Sequence, residues 1–212
     1  MNTKRIFTSL VFVVGLVGLQ RAEIAAAENA YRGPAVIRTY DYTGIPTHDL
    51  ARAWDEVQAI FDEAGIAVEW KTCPVTSDGP AVSRPCSEML QPNEFVLRLV
   101  ASSSAPVNRR VSLGYTLIDL QSESGPLLMT VFRDLVGTLA RDAGANHPSM
   151  LGRAIAHELG HLLLGNVMHS DGGLMRPFWS RSEIAHNSRP DWLIRPGQAR
   201  QMRNRLASRH GT

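Results

Sequence analysis

The sequence predicts an α+β domain, on three observations. Five short runs rich in β-branched, aromatic and leucine residues fill the first two-thirds of the chain. One stretch of helical period lies between the first two runs, and a leucine-rich helix follows the last. Beyond it comes a Pro-, Trp- and Arg-rich segment with no regular period, closed by a terminal helix. Strands first, then a long helix, then an irregular lobe is the order of an α+β domain with a cleft between its two lobes. With 44% hydrophobic residues among 212, the chain has enough apolar surface to bury one core.

Taken in order, Lys4 and Arg5 precede an apolar run from Ile6 to Leu19, and Ala25-Ala26-Ala27 is a small-residue cleavage pattern. Residues 1–27 are therefore expected to be a signal peptide. The apolar run falls short of the roughly 20 residues of a spanning helix, and no cysteine follows it to take a lipid. The mature protein, 28–212, is expected to be secreted or periplasmic, with no stable membrane anchor. Ala35–Tyr42 reads as a strand, closed by Thr43-Gly44-Ile45-Pro46. Thr47 is the expected N-cap of a helix with Leu50, Trp54, Val57, Ile60 and Phe61 at helical spacing and Gly65 as its stop.

Ile66–Lys71 is the second strand. Cys73 and Cys86 flank a Pro/Ser/Gly-rich loop, and an even pair in an exported chain is expected to form one disulfide. Glu94–Val100, Val111–Asp119 and Leu127–Phe132 are the remaining strands, with Gly114 marking a bulge or a close backbone approach. Arg133–Ala143 reads as a short helix. Ser149 is the expected cap of the long helix, Met150–Leu164, which Gly165 stops in the left-handed conformation. Asp171-Gly172-Gly173 is a turn, and Gln198–Ser208 a terminal helix.

Charge excludes little. Removing residues 1–27 leaves 19 basic and 19 acidic side chains. The arginines from Arg176 onward are scattered, without a clustered run or interleaved aromatics, so no nucleic-acid partner is expected.

Within the long helix stands His157-Glu158-Leu159-Gly160-His161. Two histidines four apart lie one turn above each other, so both imidazoles can reach one ion. A catalytic Zn²⁺ takes three protein ligands and keeps one position open for water. His169, just past the helix-ending glycine, is placed to be the third; Asp171, Glu183 and His186 are the alternatives. Glu158 sits about 100° around the helix from His157, poorly placed to ligate beside it and well placed to take a proton from a zinc-bound water. Leu151, Ile155, Leu159 and Leu162 fall on the side away from the histidines, giving a core face and a site face. His48, His147 and His210 join no ligand pattern and read as exposed or locally capping residues.

His157, Glu158, His161, Gly165 and His169 resemble the H-E-x-x-H-x-x-G-x-x-H motif of the metzincin clan of zinc endopeptidases, and Gly173-Leu174-Met175 resembles its methionine turn. The nearest likeness is to small, secreted bacterial metzincin-like proteins. The clan places its glycine three residues after the second histidine and its third histidine six after; here the intervals are four and eight. No tyrosine follows Met175, where some members supply a further ligand. The resemblance implies a zincin-like fold: a five-stranded mixed sheet, a backing helix, an active-site helix and a small irregular C-terminal lobe. It also implies that the strand at Leu113, Gly114 and Tyr115 forms the edge along which an extended substrate lies.

The expected protein is thus a secreted zinc endopeptidase with one catalytic ion, Glu158 as general base, and a peptide or protein as substrate. It is expected to act as a monomer, with residues 28–212 as one catalytic domain (28–165 the sheet lobe with the site helix, 166–212 the C-terminal lobe). Two other readings stand beside it: a non-hydrolytic zinc-containing binding protein on the same fold, and a structural exported domain whose histidines are accidental.

Overall fold

The computed structural model describes residues 33–76, 79–80, 84–104, 112–118 and 128–209. The expected leader, Val111, Asp119, Leu127 and His210 lie outside them. The strands are β1 (Ala35–Asp41), β2 (Val68–Cys73), β3 (Val75–Thr76), β4 (Gly79–Pro80), β5 (Glu94–Val100), β6 (Gly114–Leu117) and β7 (Leu128–Phe132). The helices are α1 (Thr47–Glu63), α2 (Arg133–Asp142), α3 (His147–Leu164), α4 (Arg181–His186) and α5 (Pro196–Ser208), with 3₁₀ turns at Ser102–Ser104 and Arg189–Trp192. Each of the five expected runs holds a strand of one mixed sheet, ordered β2-β1-β5-β7-β6. Only β6 runs antiparallel to its neighbour; the other pairs are parallel. Parallel neighbours need a crossover, and α1 supplies the one between β1 and β2.

The sheet's inner face (Ala35, Ile37, Phe95, Leu97, Leu99, Met129 and Val131) joins α1 and α3 in one buried cluster. Each large apolar side chain removed from water there contributes about 1.5–3 kcal/mol. Helices α1 and α3 approach so closely that a Cβ on Gly152 would meet the Ala53 carbonyl oxygen at 2.5 Å. On the other face, Arg38 donates to the carbonyls of Cys86 (3.3 Å), Glu88 (2.7 Å) and Met89 (3.2 Å), and Tyr40 donates to Cys86 (3.1 Å). The loop closed by the Cys73–Cys86 disulfide is thereby fastened to β1. Among the described residues no helix is long and apolar enough to cross a membrane.

Several sequence expectations are corrected. Pro46, not Thr47, occupies the N-cap of α1. Strand β2 starts two residues later than expected, because the Ile66 N–H still returns to the Phe61 carbonyl at 2.9 Å and closes the turn out of α1. Helix α3 begins at His147: Asn146 is the cap and accepts the Ser149 N–H at 3.0 Å, while Pro148 occupies the first turn, where no donor is needed. His147 is accordingly a half-buried helical residue beside Gly137. Helix α3 keeps the two faces expected of it, with Leu151, Ile155, Leu159 and Leu162 in the core and His157, Glu158 and His161 lining a cleft, but the site face is covered too: 15 of its 18 residues are buried. The segment after Arg176 is not wholly irregular, since α4 starts there with a reciprocal capping box between Ser180 and Glu183.

Candidate metal centre

His157 and His161 leave α3 on the same side, as an i, i+4 pair must. Gly165 then adopts φ +64°, its N–H returning to the His161 carbonyl at 2.8 Å, and the chain doubles back. That return brings His169 over both rings, with centroids 5.3 Å from His157 and 4.9 Å from His161. Among the described residues, these three form a group able to hold a metal ion, their donor atoms all within 4.8 Å of one another. The longer intervals thus still bring the third histidine to the first two. Asp171, Glu183 and His186 are not in the group; Glu183 instead caps α4 and lies 3.7 Å from Arg176.

The proton positions follow from the partners. His157 Nδ1 lies 2.9 Å from the Leu174 carbonyl oxygen, and His161 Nδ1 lies 3.0 Å from that of Asn166. A carbonyl only accepts, so both Nδ1 atoms carry hydrogen and both Nε2 atoms present lone pairs. Those two Nε2 atoms face each other at 3.1 Å. A proton between them would require an imidazolium, which the surroundings oppose. Burial first, then the neighbouring His161, pushes His157 down to about 3. Burial pushes His161 down to about 4, although the Asn166 carbonyl pulls the other way. Burial lowers His169 as well. Two lone pairs so close, with a third imidazole beside them, form a donor set that could hold a cation.

Glu158 is buried beside the histidines and helps line a cleft of about 500 Å³. Strand β6, one of the sheet's two edge strands among the described residues, bounds the cleft on one side; Pro177, Phe178 and Trp179 bound it on another. Gly114 makes the close approach expected of it. A Cβ there would meet the Thr130 carbonyl at 2.6 Å and Glu158 Cγ at 3.0 Å. Leu113 precedes β6 and accepts the Phe132 N–H at 2.8 Å, and both it and Tyr115 line the cleft.

Met175 is fully buried, its sulfur lying where a Cβ on Gly160 would come within 2.4 Å. The turn that presents it is closed by the Ser170 N–H on the Met175 carbonyl (2.9 Å), with Gly173 at φ +72°.

Sequence reasoning did not find the groups that hydrogen-bond the site's side chains. Two are backbone carbonyls, of Leu174 and Asn166, and carry no side-chain signal. Thr116 is a third: its hydroxyl lies 2.8 Å from Glu158 Oε2. Its place two residues after Gly114, on the same strand face, was the available clue. No protein-family model matches the chain, and no curated protein matches it in sequence.

Proposed function

We propose that the protein is a secreted zinc endopeptidase, with His157, His161 and His169 holding one Zn²⁺ and Glu158 as general base. The observation that carries this reading is the pair of Nε2 atoms 3.1 Å apart, with both Nδ1 atoms on backbone carbonyls and a third imidazole beside them. Two nitrogens on one tetrahedral Zn²⁺, at about 2.0–2.1 Å each, stand about 3.4 Å apart. Three imidazoles without a thiolate suit zinc, and three ligands instead of four leave the open position that hydrolysis needs.

Bound in this site, Zn²⁺ supplies Lewis acidity, making a water a nucleophile at neutral pH and polarising a carbonyl. Glu158 takes a proton from the attacking water and gives it to the departing amine. Leu113, Phe178 and the ring of Tyr115 give the cleft apolar surface, and an extended peptide laid along β6 runs past Glu158. The Cys73–Cys86 disulfide fits an oxidising compartment, in keeping with export.

The test pairs metal analysis of the purified protein with cleavage of casein and a quenched-peptide library, with and without chelator. Stoichiometric zinc and chelator-sensitive cleavage are expected. Glu158→Gln should keep the zinc and lose turnover by about 10²-fold or more. A wild type without metal, or a glutamine variant that still cleaves, would defeat the reading.

A further inference from the structure

We infer that Thr116 is a positioning residue for Glu158, so that one strand both borders the cleft and aims the general base. This rests on the reading of Glu158 given above. Gly114 and Thr116 are two residues apart on β6 and therefore face the same side, toward α3. Gly114, by lacking a Cβ, lets the Glu158 side chain lie against the strand: an added carbon would stand 3.0 Å from Cγ and 3.1 Å from Oε1. Thr116, which is buried, then meets the other end of the carboxylate, its Oγ1 at 2.8 Å from Oε2. The same Oγ1 is 3.0 Å from the Glu158 backbone carbonyl. A hydroxyl has one proton, and the shorter contact is to the carboxylate, while the backbone carbonyl is already engaged in its own helix. Threonine's branched Cβ restricts χ1, so the hydroxyl is held on target and does not swing among rotamers. The carboxylate is thereby fixed from the sheet side, and the side chain is kept from turning away from the histidines.

The experiment uses the full chain loaded with zinc and three proteins: wild type, Thr116→Val and Thr116→Ser. Valine keeps the shape and removes the hydroxyl; serine keeps the hydroxyl. Three readouts are taken: steady-state kinetics on a peptide the wild type cleaves, zinc content, and calorimetric binding of acetohydroxamate. A hydroxamate chelates the metal and gives its hydroxyl proton to the neighbouring carboxylate, so its affinity reports where Glu158 points without any turnover. For Thr116→Val the inference expects kcat to fall about tenfold or more with KM within about twofold. It also expects unchanged zinc content and a similar loss of hydroxamate affinity. Thr116→Ser should recover most of both losses.

Valine with wild-type kcat and hydroxamate affinity overturns the inference, and would leave the hydroxyl as a staple between β6 and α3. Serine that behaves like valine also overturns it, by assigning the effect to the methyl group. Should the wild type bind zinc yet cleave nothing, the peptidase reading fails. The hydroxamate comparison then still decides whether Thr116 aims the carboxylate.

Discussion

Gly160→Ala tests whether Met175 is wedged beneath the histidine helix. The new Cβ would stand 2.4 Å from the Met175 sulfur, 3.0 Å from its methyl carbon and 3.4 Å from the methyl carbon of Met202. Non-bonded heavy atoms rest at about 3.5–4.0 Å, so the sulfur must move by more than about 1 Å. Overpacking of this kind costs about 1–3 kcal/mol. Alanine returns about 1 kcal/mol through helix propensity. The expected net loss is up to about 2 kcal/mol, or up to about 8 °C in Tm for a domain of this size. In a Met175→Ala background the same substitution should change sign. The space is already open there, so propensity and burial of a methyl together contribute about 1–2 kcal/mol.

The assay is a double-mutant cycle by thermal and urea unfolding, with zinc affinity measured by chelator competition. Because Leu174, next to Met175, holds His157, the single variant should also bind zinc about tenfold more weakly. An equal effect of Gly160→Ala in both backgrounds would refute the argument, since it would mean the sulfur is not what the methyl meets.

Three further outcomes follow from the structure. Glu94 is buried, which alone would raise its pKa, but hydrogen bonds from Lys71, the Gln91 N–H and Arg38 outweigh this and hold it below the ordinary value. Its stabilisation is therefore present above the unfolded-state pKa, about 4.3, and is lost as pH falls through the lower folded-state value; in urea titrations from pH 7 to 2.5, Glu94→Gln should be less stable at pH 7 and flatter in acid. Asn146→Ala removes the α3 cap and should cost about 1 kcal/mol in urea unfolding, with zinc affinity unchanged and Asn146→Asp as the tolerated control. Reducing the Cys73–Cys86 bridge, which joins residues 13 apart, should cost about 3 kcal/mol by loop-closure entropy, read as the difference in urea unfolding with and without reductant.

What the sequence made legible was local: the i, i+4 histidines, the left-handed Gly165, the five strands and the cysteine pair. Each depends on spacing within a few residues, or on a residue type with one dominant use. What it hid was tertiary. Nothing along the chain tells that Thr116 on a strand will meet Glu158 on a helix, because that contact exists only once the sheet has packed. The Leu174 and Asn166 carbonyls are invisible for a simpler reason: every residue has one. The Asn146 cap was within reach, since Pro148 marks a first helical turn, yet Ser149 is an equally good capping type and stood nearer the apolar run. The capping box of α4 was written as Ser180-Arg181-Ser182-Glu183, but a six-residue helix gives too little periodicity to expose it.

The C-terminal segment shapes the candidate metal centre as much as α3 does. His157 presents its Nε2 lone pair because Nδ1 donates to Leu174, and Leu174 is itself pinned by its N–H to the Leu193 carbonyl at 2.9 Å. Leu193 directly follows Trp192, whose ring has the Arg153 guanidinium carbon 4.0 Å from its centroid and that of Arg176 at 5.4 Å. Arg153 is part of α3, bonded to Glu56 of α1, and Arg176 pairs with Asp191 at 3.3 Å. A closed circuit therefore runs from the site helix through the C-terminal segment and back to the first histidine. Loosening that segment would free the His157 ring to rotate and to exchange tautomers. If the three imidazoles hold the proposed zinc, the bound cation opposes that loosening by mass action. On that reading a substitution such as Trp192→Ala, which touches no ligand, should weaken zinc binding and make amides of the segment exchange faster in the metal-free protein than in the zinc-loaded one. Unchanged affinity in that variant would break the circuit at its middle link.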